Sequence, residues 1–274
     1  MNIQYKFLSG IELPTLFACN YAAFSDYLVP MDLTKENFRN HLIQNAVDLS
    51  MSVGAFNGDQ LVGYTLNGFD KWNGIETAYD AGTGVIPEFR KQGIGTAMFD
   101  FMLPTLKQMG TRQILLEVLS NNEKAIKLYR KIGFKETRKL HFFERTEVLE
   151  ASVNEEIRVE KIAEPDWNSL EELWEVKTSW QFTTESLKRS MAKKIILGAF
   201  IRDECAGYGA VFTESGSITQ LAVAIVHVHT ADSDQTVNGS VSFGIVHMAH
   251  GHAAQLFKKP HHVFMGQIAE PLHL

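Results

Sequence analysis

The sequence predicts a mixed α/β (α+β) fold laid down twice in tandem, on three observations. An extended run at 77–85 leads through a basic, glycine-rich turn at 90–97 into an apolar helix at 98–103. A continuous apolar run at 114–118, of the kind a buried strand shows, precedes an amphipathic helix that stops at Gly133. The stretch 53–64 then recurs in register at 197–208, sharing Gly-Ala-Phe, an aspartate and Gly-Tyr. Repeats this long signal duplicated domains. The length of 274 residues suits about two domains.

The elements follow in chain order. Leu13, Leu16, Phe17 and Tyr21 recur at helical spacing, and Thr34 can cap the start of a second helix. Residues 53–64 read as a β-hairpin turning at Asn57-Gly58. Residues 67–74 read as an exposed hairpin connection, in which Phe69 and Trp72 either line an entrance or anchor the loop. On the strand ending at Val85, period-two alternation puts Asp80 on one face with Gly82 and Gly84. Asn121 or Asn122 caps the later helix, with Ala125, Leu128, Tyr129 and Ile132 as its inward stripe.

A strand, a glycine turn and a helix start present free backbone N–H groups and a positive dipole end to a phosphate. Gly93 and Gly95 let the backbone approach closely, and Arg90 adds a forked cationic donor. The dinucleotide fingerprint does not fit, because its third glycine is missing and strand-like runs precede the motif. No G-x-x-x-x-G-K-[ST] string occurs, which excludes the nucleotide P-loop.

The two segments together resemble the GCN5-related N-acetyltransferase (GNAT) superfamily. Arg90, Gly93 and Gly95 meet its R/Q-x-x-G-x-G/A pattern. Asn122, Ala125, Leu128, Tyr129, Gly133 and Phe134 meet its N-x-x-A-x-x-L-Y-x-x-x-G-F pattern. The resemblance covers roughly residues 1–145. It implies the GNAT fold, a mixed sheet with splayed strands flanked by helices, and acetyl-CoA as co-substrate. Its pyrophosphate would meet the loop of Arg90, Lys91, Gln92, Gly93, Ile94, Gly95, Thr96 and Ala97, and its pantetheine arm the cleft between the strands at 77–85 and 114–118. Val85 or a neighbour would polarise the acetyl carbonyl, and Tyr129 would protonate the departing thiolate. The implied reaction is transfer of an acetyl group to a primary amine by direct attack on the thioester.

That chemistry needs a base for the ammonium proton, an oxyanion donor and a proton source for the thiolate. Tyr129 is either that acid or a core aromatic, and Asn122 is either a helix cap or a cofactor contact. Asp80 is the first candidate base, against a carboxylate bonded to nearby backbone; Glu76, Glu117, Tyr79 and Asp26 are further acceptor-side candidates. The alternative function is a non-catalytic acyl-CoA-binding or regulatory module.

The net charge of −6 argues against nucleic acid or an anionic membrane as the main partner. The resemblance implies a small-molecule or peptide amine as acceptor. Cys19 and Cys205 make no disulfide framework, and no signal core or membrane-length run occurs, so a cytoplasmic location is expected. The predicted division is 1–146, a catalytic domain, and 147–274, a degenerate GNAT-like domain, joined by the polar stretch 144–156. After the strand at 218–223 no glycine turn follows, and 253–257 is a candidate remnant of the later helix. The second unit is therefore expected to shape, pack or dimerise, giving either a pseudo-dimeric monomer or a true homodimer. Eight of ten histidines fall after position 226, among them His227, His229, His247, His250 and His252, but in no established ligand spacing, so no metal is expected.

Overall fold

A computed structural model describes residues 2–29, 31, 33–142, 156–174, 177–213, 216, 218–224 and 261–269. It divides into two compact units, Met1–Leu140 with His262–Leu274, and His141–His261.

The first unit opens with β1 (Ile3–Phe7), α1 (Leu13–Ala23) and α2 (Lys35–Gln44). Thr34 caps α2 by accepting from the Asn37 amide at 3.1 Å. The hairpin β2 (Val53–Asn57) and β3 (Gln60–Trp72) pairs Asn57 with Gln60, so the turn residues are Gly58 and Asp59, one place beyond the predicted pair. Gly58 takes the left-handed φ of 59° that this short turn needs. β3 then runs without a break to Trp72 and meets β4 (Ile75–Val85) through Asn73 and Gly74, both at positive φ. Residues 67–72 are thus strand, not the loop expected of them, and Phe69 packs against the core. Asn-Gly at the true turn had the stronger signal; the polar residues before it concealed the strand.

Helix α3 (Ile94–Gln108), β5 (Gln113–Leu119), α4 (Glu123–Ile132) and β6 (Lys135–Phe142) follow. The sheet order is β1-β2-β3-β4-β5-β11-β6, where β11 is His261–Ala269. Only β4 and β5 pair in parallel among the pairings described, through Thr77–Asp80 against Gln113–Leu116. β11 runs antiparallel to β5, with Val263 opposite Leu119 and Ala269 opposite Gln113. The division at 146 therefore needs correction at the C-terminal end. β5 would otherwise present an unpaired edge on the side away from β4, and a strand from more than 140 residues downstream covers it. Local patterning carries no signal for so distant a pairing.

Helices cover both faces of this sheet. On one side, a Cβ on Gly84 would stand 3.0 Å from Ala23 of α1. On the other, a Cβ on Gly63 would come within 3.6 Å of Ile94 in α3. Leu16, Tyr64, Leu66, Met98, Phe99 and Ile114 are among the fully buried residues between these layers. Asn20, not the predicted Tyr21, is the inward residue of α1: it donates to the Tyr64 hydroxyl at 2.5 Å, while Tyr21 is 58% exposed.

The second unit contains β7 (Arg158–Lys161), α5 (Trp167–Glu171), α6 (Thr184–Arg189), β8 (Lys194–Ile201), β9 (Glu204–Phe212) and β10 (Ile218–Val223). Its sheet order is β10-β9-β8-β7, which repeats the β4-β3-β2-β1 arrangement. The repetition reaches individual residues. A register shift between Ala55 and Phe56 recurs between Ala199 and Phe200. Thr183 caps α6 as Thr34 caps α2. Tyr208, the counterpart of Tyr64, accepts from Trp174 at 2.8 Å. The segment 253–257 and the histidines at 227–252 lie outside the described residues.

Candidate active site

The site is built where β4 and β5 part. Their ladder ends at Asp80 opposite Leu116, yet β4 continues to Val85 and β5 to Leu119. The Ile86 amide donates back to Val62 of β3 at 3.0 Å. Neighbouring amides on a strand alternate sides, so the Val85 amide points away from β3, towards the gap left by β5.

A β-bulge decides which side chains reach that gap. Leu66 pairs with Gly82, but Asn67 pairs with Asp80, so Ala81 is the extra residue. Cross-strand partners share a face, and Gly63, Thr65 and Asn67 alternate along β3. Asp80 therefore lies with Thr83 and Val85, not with Gly82 and Gly84 as strict alternation predicted. That face carries α3, since Asn67 donates to Met102 Sδ at 2.9 Å.

On this face Asp80 is 4% exposed and accepts hydrogen bonds at both carboxylate oxygens. The Gly82 amide donates to its Oδ1 at 3.0 Å. Thr83 donates to Oδ2 at 2.9 Å, and the Thr83 hydroxyl lies 2.9 Å from that of Thr65. Tyr129, from α4, donates to the same Oδ2 at 3.1 Å. Burial pushes the Asp80 carboxyl up to about 6, partly countered by the donors from Thr83, Gly82 and Tyr129. Burial, and then the neighbouring charge of Asp80, hold the Tyr129 phenol well above its ordinary value. A carboxylate and a phenol that share one proton contact in a dry site can pass a proton between them.

Tyr129 is held there by aromatic edges. Its ring centroid lies 6.1 Å from Phe99 and 5.6 Å from Phe134, both in edge-on contact. Gly133 ends α4 at a φ of 115°, and the chain turns back to seat Phe134 in the core. Asn122 is the helix cap: its side chain accepts from the Ala125 amide at 3.2 Å and also hydrogen-bonds the Tyr27 hydroxyl.

The glycine turn divides its labour differently from the sequence expectation. Lys91 and Gly93 both take left-handed φ values, 62° and 79°, and space around Gly93 is open. The Ile94, Gly95 and Thr96 amides are the first of α3 and have no intrahelical acceptor. The Ala97 amide is already taken, donating to Gly93 at 3.0 Å. Gly95 is needed for packing, because a Cβ there would stand 2.9 Å from Leu128 on α4. The two sequence motifs thus touch each other directly.

Arg90 faces inward. It donates to the Val85 carbonyl at 2.9 Å, to the Ala23 carbonyl at 2.8 Å and to both oxygens of Asp26 at 2.7 Å. Its fork clamps the end of β4 and leaves the free amides to meet an anion. Asp26 is correspondingly committed to Arg90, which lowers its pKa. Arg90→Ala is expected to destabilise the first unit by about 1–3 kcal/mol, since four charge-assisted hydrogen bonds to three residues go at once. Urea unfolding of the full chain measures this.

Of the other acceptor-side candidates, Glu76 pairs with Lys71 at 3.5 Å on the exposed start of β4, and Tyr79 is 2% exposed in the core. Glu117 is half-buried near Arg138. None joins the Asp80–Tyr129 cluster among the described contacts. Two members of that cluster, Thr65 and Thr83, are not among the residues that the sequence singles out. Their only sequence signal is β-propensity, and the bulge that unites them with Asp80 has none. Among the described residues no group of three or more His, Cys, Asp or Glu side chains could hold a metal ion, and no helix is long and apolar enough to cross a membrane.

Residues 16–134 match the Acetyltransferase (GNAT) family. The chain is similar to a mycothiol acetyltransferase of Propionibacterium freudenreichii, with 28% identity over 124 residues, 45% of this chain and 40% of that protein. It is also similar to an N-alpha-acetyltransferase of Sulfurisphaera tokodaii, with 31% identity over 93 residues, 31% of this chain and 56% of that protein. The chain thus spans about half the length of these curated relatives. Over 98% of both chains its fold resembles the solved tandem GNAT protein from the clavulanic acid biosynthesis pathway, at a TM-score of 0.64 and 13% identity. The segment 16–134 therefore belongs to the GNAT acetyltransferase family, and the chain as a whole has the fold of a tandem GNAT protein.

Proposed function

We propose that this chain is an acetyl-CoA-dependent N-acetyltransferase, transferring an acetyl group to a primary amine by direct attack on the thioester. The observation that carries this reading is the Tyr129 hydroxyl on the Asp80 carboxylate, at the point where β4 and β5 separate. A pure binding module needs no buried acid and base joined by a hydrogen bond.

The residues fit the co-substrate. The open space at Gly93 and the free amides of Ile94, Gly95 and Thr96 suit its pyrophosphate. The gap beyond Asp80 suits an extended arm, and the Val85 amide is aimed where an oxyanion donor is needed. The amine attacks in its neutral form, its ammonium proton having gone to solvent, and Asp80, as carboxylate, takes the second proton that the nitrogen sheds on attack. Tyr129 gives its proton to the departing sulfur, and the hydrogen bond between the two lets Asp80 return one. Proton donors and acceptors then balance within one turnover. Lys91 borders the turn as an exposed side chain available to the phosphates, and Gln92 beside it, also exposed, donates to the Glu88 carbonyl at 3.4 Å. The acceptor is a small-molecule amine or the amino group of a peptide.

Release of free thiol from acetyl-CoA, followed across small amines, amino acids and short peptides, tests the reading. Turnover with at least one amine is expected. Tight acetyl-CoA binding without turnover on any of them would instead assign the chain to a non-catalytic acyl-CoA-binding module.

A further inference from the structure

The peptide group between Ala81 and Gly82 has both of its polar atoms committed. Its N–H donates to Asp80 Oδ1 at 3.0 Å. Its carbonyl lies 2.7 Å from Nε2 of His41, a residue on α2 forty positions earlier. Ala81 is the bulged residue, so its carbonyl has no place in the β3–β4 ladder and needs a donor from elsewhere. Gly82 sits at a φ of 157°, in the range open chiefly to glycine.

The tautomer of His41 follows from its neighbour. Asn45 donates through Nδ2 to the His41 carbonyl at 2.9 Å, which fixes the orientation of the side-chain amide. The same Nδ2 lies 3.2 Å from His41 Nδ1, so Nδ1 accepts and Nε2 carries the proton. Burial lowers the His41 pKa and keeps the ring neutral.

We propose that His41 is a positioning residue for the Asp80–Tyr129 pair, acting through the single peptide group between Ala81 and Gly82. A donor on the carbonyl polarises that amide and strengthens its N–H as a donor to the Asp80 carboxylate. It also fixes the plane of a peptide that the bulge and Gly82 would otherwise leave free to rotate. His41 touches no reacting atom; it orients the base and favours its ionised form. This inference rests on the reading of Asp80 as the base.

Among the described residues, two titratable groups reach Asp80, Tyr129 from α4 and Tyr64 from β3. Burial raises both phenols, so neither changes charge while Asp80 titrates.

The test is the titration of Asp80 itself, by carbon-13 NMR of the aspartate-labelled full chain, its signal identified by loss in Asp80→Asn. In His41→Leu the midpoint is expected to rise by about one pH unit, because one donor to the anion weakens. His41→Gln retains a terminal N–H of similar reach and is expected to return the midpoint to that of the parent. His41→Asn keeps polarity but falls short of the carbonyl, and serves in place of His41→Leu should that variant not fold. An unchanged midpoint in the Leu or Asn variant would overturn the proposal. So would a midpoint in the Gln variant as high as in the Leu or Asn variant. The acid limb of kcat/KM should move with the same midpoint. A shifted titration in a chain that acetylates nothing would leave the inference standing and sink the transferase reading instead.

Discussion

Tyr129→Phe is expected to lower kcat by about 10²–10⁴-fold with little change in the apparent KM for acetyl-CoA, the loss associated with removing a positioned proton donor. The ring can stay where it is, because Phe99 and Phe134 hold its edges and the hydroxyl is the only atom removed. Stability should therefore change little, which separates loss of chemistry from loss of fold. A second signature follows from the hydrogen bond to Asp80. That donor favours the carboxylate, so without it the acid limb of kcat/KM moves above its position near pH 6. Steady-state kinetics from pH 5 to 9 reads both effects. A kcat equal to that of the parent would return Tyr129 to a core aromatic.

Asp80→Asn is expected to cost at least about 10²-fold in kcat/KM at pH 8, and to abolish the acid limb altogether. The parent activity should rise as pH increases through about 6, since only the carboxylate accepts the amine proton. Stability should run the other way. Burial raises the folded-state pKa above the unfolded value of about 4, so the folded chain holds this proton more tightly. Its contribution is fully present below pH 4 and is lost as pH rises through about 6. Thermal unfolding should accordingly show a smaller decline in Tm across that window in Asp80→Asn than in the parent. An acid limb that persists near pH 6 in the variant would move the base elsewhere.

Much of the site was legible because its parts are local. Gly133 after a helical stripe, Asn122 before it, and Lys91 and Gly93 before α3 each answer a backbone requirement within one turn of chain. Such requirements leave residue types at fixed spacings. The duplicated hairpins were legible for the same reason, with the register shift at Ala55 repeated at Ala199.

What escaped the sequence depends on contacts between distant segments. The Ala81 bulge moved Asp80 to the face of Thr83 and Val85, and one inserted residue in a ladder reverses every later side chain. In sequence Arg90 reads as a phosphate donor, but its fork meets Asp26 and the carbonyls of Ala23 and Val85, from two segments that precede it. In sequence Gly95 reads as room for a ligand, and Leu128 fills the space beside it.

The sequence by itself determined the strand–turn–helix that frees the α3 amides, the capped helix that carries Tyr129, and the tandem repeat. Each is set by backbone geometry over a few residues. Only the tertiary structure decided that Asp80 meets Tyr129, that His41 reaches the bulge carbonyl, and that β11 completes the first sheet. Those choices rest on pairing and packing between segments far apart in the chain, where periodicity leaves no mark.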